Sequence, residues 1–335
     1  MGGDNGPRTV CRAAINYLKQ QNDATLTLVG PKTNIETYLK DETADAALDR
    51  IDLIDATEVI TPQDEAVRAI RRKKDASMVQ ALQFLKRGEA DVLVSAGNTG
   101  ALLAGSILIC GRIAGIERPA VASRMPTLDG HGFLMLDLGA AVDVKPKHLV
   151  DYATMGAVYA SAVTGVEKPR VGLLNIGTEM QKGDNLRRAS YGLLEEWGAG
   201  FDAACFVGNV ESRDLLVGRV DVTVTDGFAG NMVLKAFEGV VNTLQAVIKR
   251  SIGSSLRGQV GGALLAPILR RDFAEFDYHH YGGAVLLGVK KPVIKCHGNA
   301  DEQAIVSALV AAHRAATTRV IDRITAVFVE GRSEG

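Results

Sequence analysis

Short β-branched runs alternating with amphipathic stretches, a glycine-rich and proline-poor composition, and the lack of any membrane-length apolar run predict an α/β protein on a mostly parallel sheet. The chain has 335 residues, 47% of them hydrophobic, with 36 glycines against 9 prolines and 5% aromatics. That length supplies ample apolar surface for a core, and the glycine excess suits many tight strand-to-helix turns. Runs at 25–29, 91–94, 133–136, 170–174, 221–225 and 292–295 read as strands. Stretches at 77–86, 150–163, 186–197, 232–250 and 301–329 read as helices. Such alternation implies right-handed crossovers with helices on both faces of the sheet. No internal repeat or low-complexity linker divides the chain, so 1–335 reads as a single α/β/α domain with a helical hairpin protruding near 249–272.

The final stretch places Ala304, Ala308, Ala312, Ala316, Val320, Ile324 and Phe328 at a four-residue step. This forms one continuous stripe, expected to pack on the sheet, with a subunit interface as the alternative. A formal net charge of −1 offers no global field for nucleic acid, so an anionic partner must be met by a local patch. Cys11, Cys110, Cys205 and Cys296 are widely spaced and fit neither a zinc site nor a disulfide framework, and are read as reduced core residues. The longest apolar stretch, 101–110, is far short of the ~20 residues of a membrane span, and no signal peptide opens the chain. A cytoplasmic location is expected.

The chemistry lies where strands end. The 91–94 strand runs into Ser95-Ala96-Gly97-Asn98-Thr99-Gly100, and the 221–225 strand into Asp226-Gly227-Phe228-Ala229-Gly230-Asn231. The others lead to Asp137-Leu138-Gly139-Ala140-Ala141, to Asn175-Ile176-Gly177-Thr178 with Lys182-Gly183-Asp184 beyond, and to His297-Gly298-Asn299. Glycine lets backbone approach a ligand closely, helix N-termini present free N–H groups, and Asn or Thr adds neutral donors. Any one such loop also suits helix capping, but several at strand carboxyl ends suit an oxyanion. The chain has no Walker P-loop, no Gly-x-Ser-x-Gly elbow and no His-Glu-x-x-His helix. Gly198-Ala199-Gly200-Phe201-Asp202-Ala203 fits a loose dinucleotide pattern but follows a helix, so it reads as a helix-ending loop. His279-His280 has no accompanying carboxylate spacing, so no metal is expected.

Taken in order, Met1-Gly2-Gly3-Asp4-Asn5-Gly6-Pro7, the 95–101 and 136–140 blocks, Leu174-Asn175-Ile176-Gly177 and Thr225-Asp226-Gly227-Phe228-Ala229-Gly230-Asn231 closely resemble the bacterial phosphate acyltransferase family, PlsX. The resemblance implies transfer of a fatty acyl group from acyl carrier protein to inorganic phosphate, giving acyl phosphate for phospholipid synthesis. It also implies a three-layer sandwich similar to phosphotransacetylases and isopropylmalate dehydrogenases, and a homodimer attached peripherally to the membrane, with no cofactor. The family pattern places a short strand ahead of its Met-Gly-Gly-Asp, which here stands at residue 1. Its Leu-Gly-Ala-Asn is Leu138-Gly139-Ala140-Ala141 in this chain, which removes one side-chain amide.

Phosphate is already anionic near neutral pH, so the protein's tasks are to position it, stabilise a thioester oxyanion and help a thiolate leave. Lys182 is expected to supply positive charge, with Asn98, Thr99 and Asn231 donating and Asp226, Asp137 and Asp4 orienting these groups. Phosphate or substrate contact is expected from Gly3, Asp4, Gly97, Thr99, Gly100, Asp137, Gly139, Asn175, Gly177, Gly227, Gly230 and His297; the catalytic set is Lys182, Asn98, Asn231 and Asp226. From 249 to 271 the chain carries Lys249, Arg250, Arg257, Arg270 and Arg271 and no acidic residue. Within that frame Leu256, Val260, Leu264, Leu265 and Ile268 form an apolar set suited to a membrane surface, with Gly261-Gly262 and Pro267 expected to break the stretch into a tip. Dimer packing is the alternative for this hairpin. For the whole chain, the alternatives are a catalytically weak, acyl-carrier-protein-binding scaffold at the membrane and a nicotinamide-dependent dehydrogenase; the latter finds neither a dinucleotide loop nor a carboxylate set.

Overall fold

The computed structural model describes residues 3–41, 47–274 and 282–330. In chain order its helices are α1 (Gly6–Gln20), α2 (Lys32–Asp41), α3 (Ala66–Arg72), α4 (Ser77–Arg87), α5 (Thr99–Gly105), α6 (Pro146–Thr164), α7 (Asn185–Gly200), α8 (Gly227–Gly253), α9 (Leu256–Ala274), α10 (Glu302–Thr317) and α11 (Val320–Glu330). Its strands are β1 (Leu26–Gly30), β2 (Ile51–Asp55), β3 (Leu93–Ser95), β4 (Ala120–Met125), β5 (Phe133–Leu136), β6 (Arg170–Asn175), β7 (Cys205–Glu211), β8 (Val222–Val224), β9 (Ala284–Leu287) and β10 (Val293–Lys295). The six expected strands lie within two residues of their predicted places. The four others hide their pattern: β7 holds Gly208 at φ +87° and pairs through a register shift, and β9 directly follows Gly282-Gly283, both at positive φ.

Two compact units emerge. The first comprises the described residues of 1–123, 158–166 and 281–335, the second those of 124–157 and 167–280. In the first unit β1 and β2 pair in parallel, as do β3 and β10, while β9 runs antiparallel to both β10 and β4. Its core gathers Ile70, Leu82, Leu85, Leu102 and Val293 from α3, α4, α5 and β10. Gly88 at φ +79° ends α4 in the left-handed conformation that glycine adopts without penalty.

In the second unit β5, β8, β6 and β7 are all parallel, with β8 between β5 and β6. Every residue of β5 and β8 is buried, as expected of strands covered on both faces. Gly156 of α6 makes this possible, since a Cβ there would stand 3.0 Å from a methyl of Leu136 and closer still to Val222.

The terminal stripe is packing surface: Ala304, Ala308, Ala312, Val320 and Ile324 are buried. The single expected helix is two, because Arg319 takes φ +51° between α10 and α11. The hairpin also differs from expectation. It turns at Gly253–Leu256, and α9 runs unbroken through Gly261-Gly262 and Pro267. The glycines close the hairpin instead of opening it: a Cβ on Gly258 would lie 2.6 Å from the Ile252 carbonyl oxygen, and one on Gly262 would collide with the Ile252 side chain.

Candidate active site

In the second unit three loops leave the carboxyl ends of β5, β6 and β8 and carry most of the predicted residues. The loop after β5 is built on Asp137, whose buried carboxylate accepts from three successive amides. Gly139 and Ala140 donate to Oδ1 at 3.0 and 2.9 Å, and Ala141 to Oδ2 at 2.7 Å. Both carboxylate oxygens serve the loop, so Asp137 shapes the site through backbone rather than by facing a ligand. Ala141 likewise acts through its main chain, accepting from Gly227 N at 2.9 Å as well as donating to Asp137. The fold of this loop is therefore independent of the side-chain amide that Ala141 lacks.

Asp226 caps α8, its Oδ1 accepting from Phe228 N at 3.0 Å and Ala229 N at 2.9 Å. The two loops interlock through glycine. A Cβ on Gly227 would sit 2.8 Å from both Asp137 Oδ2 and the Ala141 carbonyl, and one on Gly230 would collide with the Asp137 carbonyl oxygen. Gly139 holds φ +126°, a conformation side chains avoid, and faces Asn231, which is exposed at the start of the second turn of α8.

The loop after β6 is folded by paired amides. Asn175 Nδ2 donates to the Lys182 carbonyl at 3.1 Å and to Asn209 Oδ1 at 3.0 Å, while Asn209 Nδ2 donates to the Glu179 carbonyl at 2.8 Å. Asn175 is buried and thus a loop organiser, whereas Lys182 is exposed, and its ammonium forms no ion pair or hydrogen bond among the described residues. A Cβ on Gly177 would sit 3.1 Å from Lys182 Cγ and 2.9 Å from Glu179 Oε2.

Sequence reasoning missed Arg187. Its side chain is 14% exposed and reaches Asp184 Oδ2 at 2.8 Å, Thr225 Oγ1 at 3.2 Å and Asp226 Oδ2. The available signal was the Asp184-x-x-Arg187 spacing at a helix start, where Asp184 Oδ1 also accepts from Arg187 N at 2.9 Å. Asn209 went unseen because β7 itself did.

In the first unit the remaining predicted residues meet at the carboxyl ends of β3 and β10. Asp4 N donates to the Gly298 carbonyl at 2.7 Å, and a Cβ on Gly3 would lie 3.4 Å from Ala96 Cβ. Gly97 N donates to Ser95 Oγ at 3.2 Å. Asn98 caps α5, its Oδ1 accepting from Ala101 N at 2.9 Å, with Nδ2 in a long contact of 3.4 Å to the Thr61 carbonyl. Thr99 and Gly100 are exposed in the first turn, and His297 is half-buried beside Gly298.

Three cysteines are buried as expected, and burial pushes the thiols of Cys11 and Cys110 up to about 11 and that of Cys296 up to about 12. These are poor nucleophiles near neutrality. Cys205 is exposed, which corrects its assignment to the core; it opens β7, in which Val207 is also exposed and only Asn209 and Val210 are buried. No group of three His, Cys, Asp or Glu side chains suits a metal ion among the described residues, and His279-His280 lies outside them.

On the hairpin, Leu256 is 80% exposed and Leu264 76%, and Val260, Leu265 and Ile268 are exposed with them. Between Asn231 and Leu269 only Gly262 is buried. No single described helix is long and apolar enough to cross a membrane.

A family model described as fatty acid synthesis protein matches residues 1–323. The phosphate acyltransferase of Bacillus pumilus (strain SAFR-032) is 48% identical over 309 residues, 92% of this chain and 90% of that protein. That of Lysinibacillus sphaericus (strain C3-41) is 46% identical, covering 97% of this chain and 95% of its own length. Among solved structures, the EutD phosphotransacetylase from Staphylococcus aureus matches with a TM-score of 0.62 at 15% identity, covering 92% of this chain and 91% of that one. A phosphotransacetylase from Streptococcus pyogenes matches at 0.61 and 16%, covering 93% and 92%. At such identities the likeness speaks to the fold, and it agrees with the α/β class expected.

Proposed function

The chain belongs to the phosphate acyltransferase family, and we propose that it transfers a fatty acyl group from the thioester of acyl carrier protein to inorganic phosphate, forming acyl phosphate for phospholipid synthesis. The observation that carries the site assignment is the interlocked pair of loops at Asp137 and Asp226. They bring Gly139, the first turn of α8 and Asn231 together with backbone too close for side chains. A helix N-terminus edged by glycines suits a phosphate oxyanion. The exposed ammonium of Lys182, on the neighbouring loop, adds a mobile positive charge.

In this reading a phosphate oxygen attacks the thioester carbonyl carbon, the carbonyl oxygen takes up negative charge, and collapse breaks the C–S bond with release of the thiolate. Lys182 and Asn231 stabilise the developing charge, while the buried Asp137 and Asp226 hold their loops. Neither phosphate nor this site needs a protein nucleophile. Relatives named phosphate acyltransferase do not favour the alternative of a catalytically weak, acyl-carrier-protein-binding scaffold at the membrane.

The finer proposal is a homodimer attached peripherally to the membrane through the α8–α9 hairpin. Its support is the exposed set Leu256, Val260, Leu264, Leu265 and Ile268, framed by Lys249, Arg250 and Arg257. Apolar insertion plus roughly 1 kcal/mol per basic residue at an anionic surface favours reversible binding. Incubation of purified protein with acyl-acyl carrier protein and phosphate, with acyl phosphate trapped as its hydroxamate, tests the central claim. Absence of phosphate-dependent product would overturn it.

A further inference from the structure

We propose that Arg187 is a positioning residue for the phosphate site, a charged clamp that ties the cap of α7 to the cap of α8 and neutralises Asp226. This inference rests on the phosphate-transfer reading above. The guanidinium bridges two carboxylates that each cap a different helix: Asp184, which also accepts from Arg187 N at 2.9 Å, and Asp226, which also caps Phe228 and Ala229. The same Nη2 that meets Asp226 also donates to Thr225 Oγ1 at 3.2 Å, just beyond the end of β8.

A planar fork with fixed donors suits such bridging, which a lysine cannot reproduce at all three partners. Exposed ion pairs contribute little, but here the Asp226 side chain is 7% exposed and that of Arg187 14%. Breaking a buried pair leaves an uncompensated charge in place. That charge would be a carboxylate at the N-terminus of α8, where the incoming phosphate is itself anionic. With two carboxylates already on it, the guanidinium acts through Asp226 and the two helix ends rather than as a phosphate ligand. Gly183 borders the same device: it turns at φ +91°, and a Cβ there would come within 2.8 Å of Arg187 Cβ and closer still to the Asn175 amide oxygen, so the loop bearing Lys182 packs between Asn175 and the first turn of α7.

The test is a double-variant cycle read by kcat and by KM for phosphate, with phosphate-dependent stabilisation against heat as a second readout that needs no turnover. Arg187→Gln is expected to raise the phosphate KM at least tenfold and to lower kcat, with Arg187→Lys intermediate. Adding Asp226→Asn to Arg187→Gln removes the unpaired charge while keeping a capping acceptor, and is expected to recover part of the phosphate KM. A phosphate KM within twofold of the parent for Arg187→Gln would overturn the proposal, as would losses in the double variant that simply multiply. Should Arg187→Gln fail to fold, Arg187→Lys is read alone: a phosphate KM raised at least threefold is expected, and one within twofold of the parent overturns the proposal. If the unsubstituted protein makes no acyl phosphate, the function fails instead, and the clamp is then judged by whether phosphate stabilises the parent and Arg187→Lys differently.

Discussion

The two ends of α8 are built on opposite principles. At its N-terminus Asp226, Gly227 and Gly230 are buried, and the two glycines press on the Asp137 loop so closely that neither tolerates an added atom. At its far end and along α9 as far as Leu269 most side chains are exposed, with Ile248, Ile252, Ala266 and Leu269 partly covered and Gly262 packed on Ile252. A single helix thus joins a region where geometry is over-determined to one where surface chemistry is all that remains. The difference teaches where each kind of substitution will register: stability and catalysis at one end, partition to surfaces at the other.

The sharpest way to break the comparison is Gly230→Ala. Its Cβ would meet the Asp137 carbonyl oxygen, so we expect a loss of about 3 kcal/mol or more by urea unfolding, together with loss of activity. A stable, active Gly230→Ala protein would show that the loops yield. Next in size, Lys182→Ala should leave the fold intact, since the side chain is exposed, and lower turnover about a hundredfold; unchanged kinetics would remove Lys182 from the mechanism. At the other end of the helix, Leu264→Glu with Leu265→Glu should abolish flotation with anionic vesicles while changing stability by no more than about 0.5 kcal/mol. Flotation equal to the parent's would leave dimer packing as the hairpin's role. The smallest effect expected is at the thiols: in the native protein at pH 8, a maleimide should label Cys205, with Cys11, Cys110 and Cys296 reacting only on unfolding.

The loops were legible because glycine and Asx residues after β-branched runs have few other uses, and their caps at Asn98, Asp184, Asp226 and Asp301 are where such residues belong. The hairpin was legible in composition but not in its turn. Gly261-Gly262 and Pro267 read as breakers, yet a glycine facing a neighbouring helix serves close packing, and only the partner Ile252 reveals which role applies.

Local chemistry in the sequence thus determined the α/β class and the glycine-rich and Asx-capped strand ends to which the proposed function is assigned, because periodicity and turn preference act over a few neighbours. Long-range contacts decided the rest. Arg187 lies 38 and 39 residues from Thr225 and Asp226, Asn175 lies 34 from Asn209, and Ala141 serves through a carbonyl whose partner is Gly227. Such pairings leave no local periodic trace, since they exist only once β5, β8, β6 and β7 lie side by side: β6 beside β8 for Arg187, β6 beside β7 for Asn175, and β5 beside β8 for Ala141.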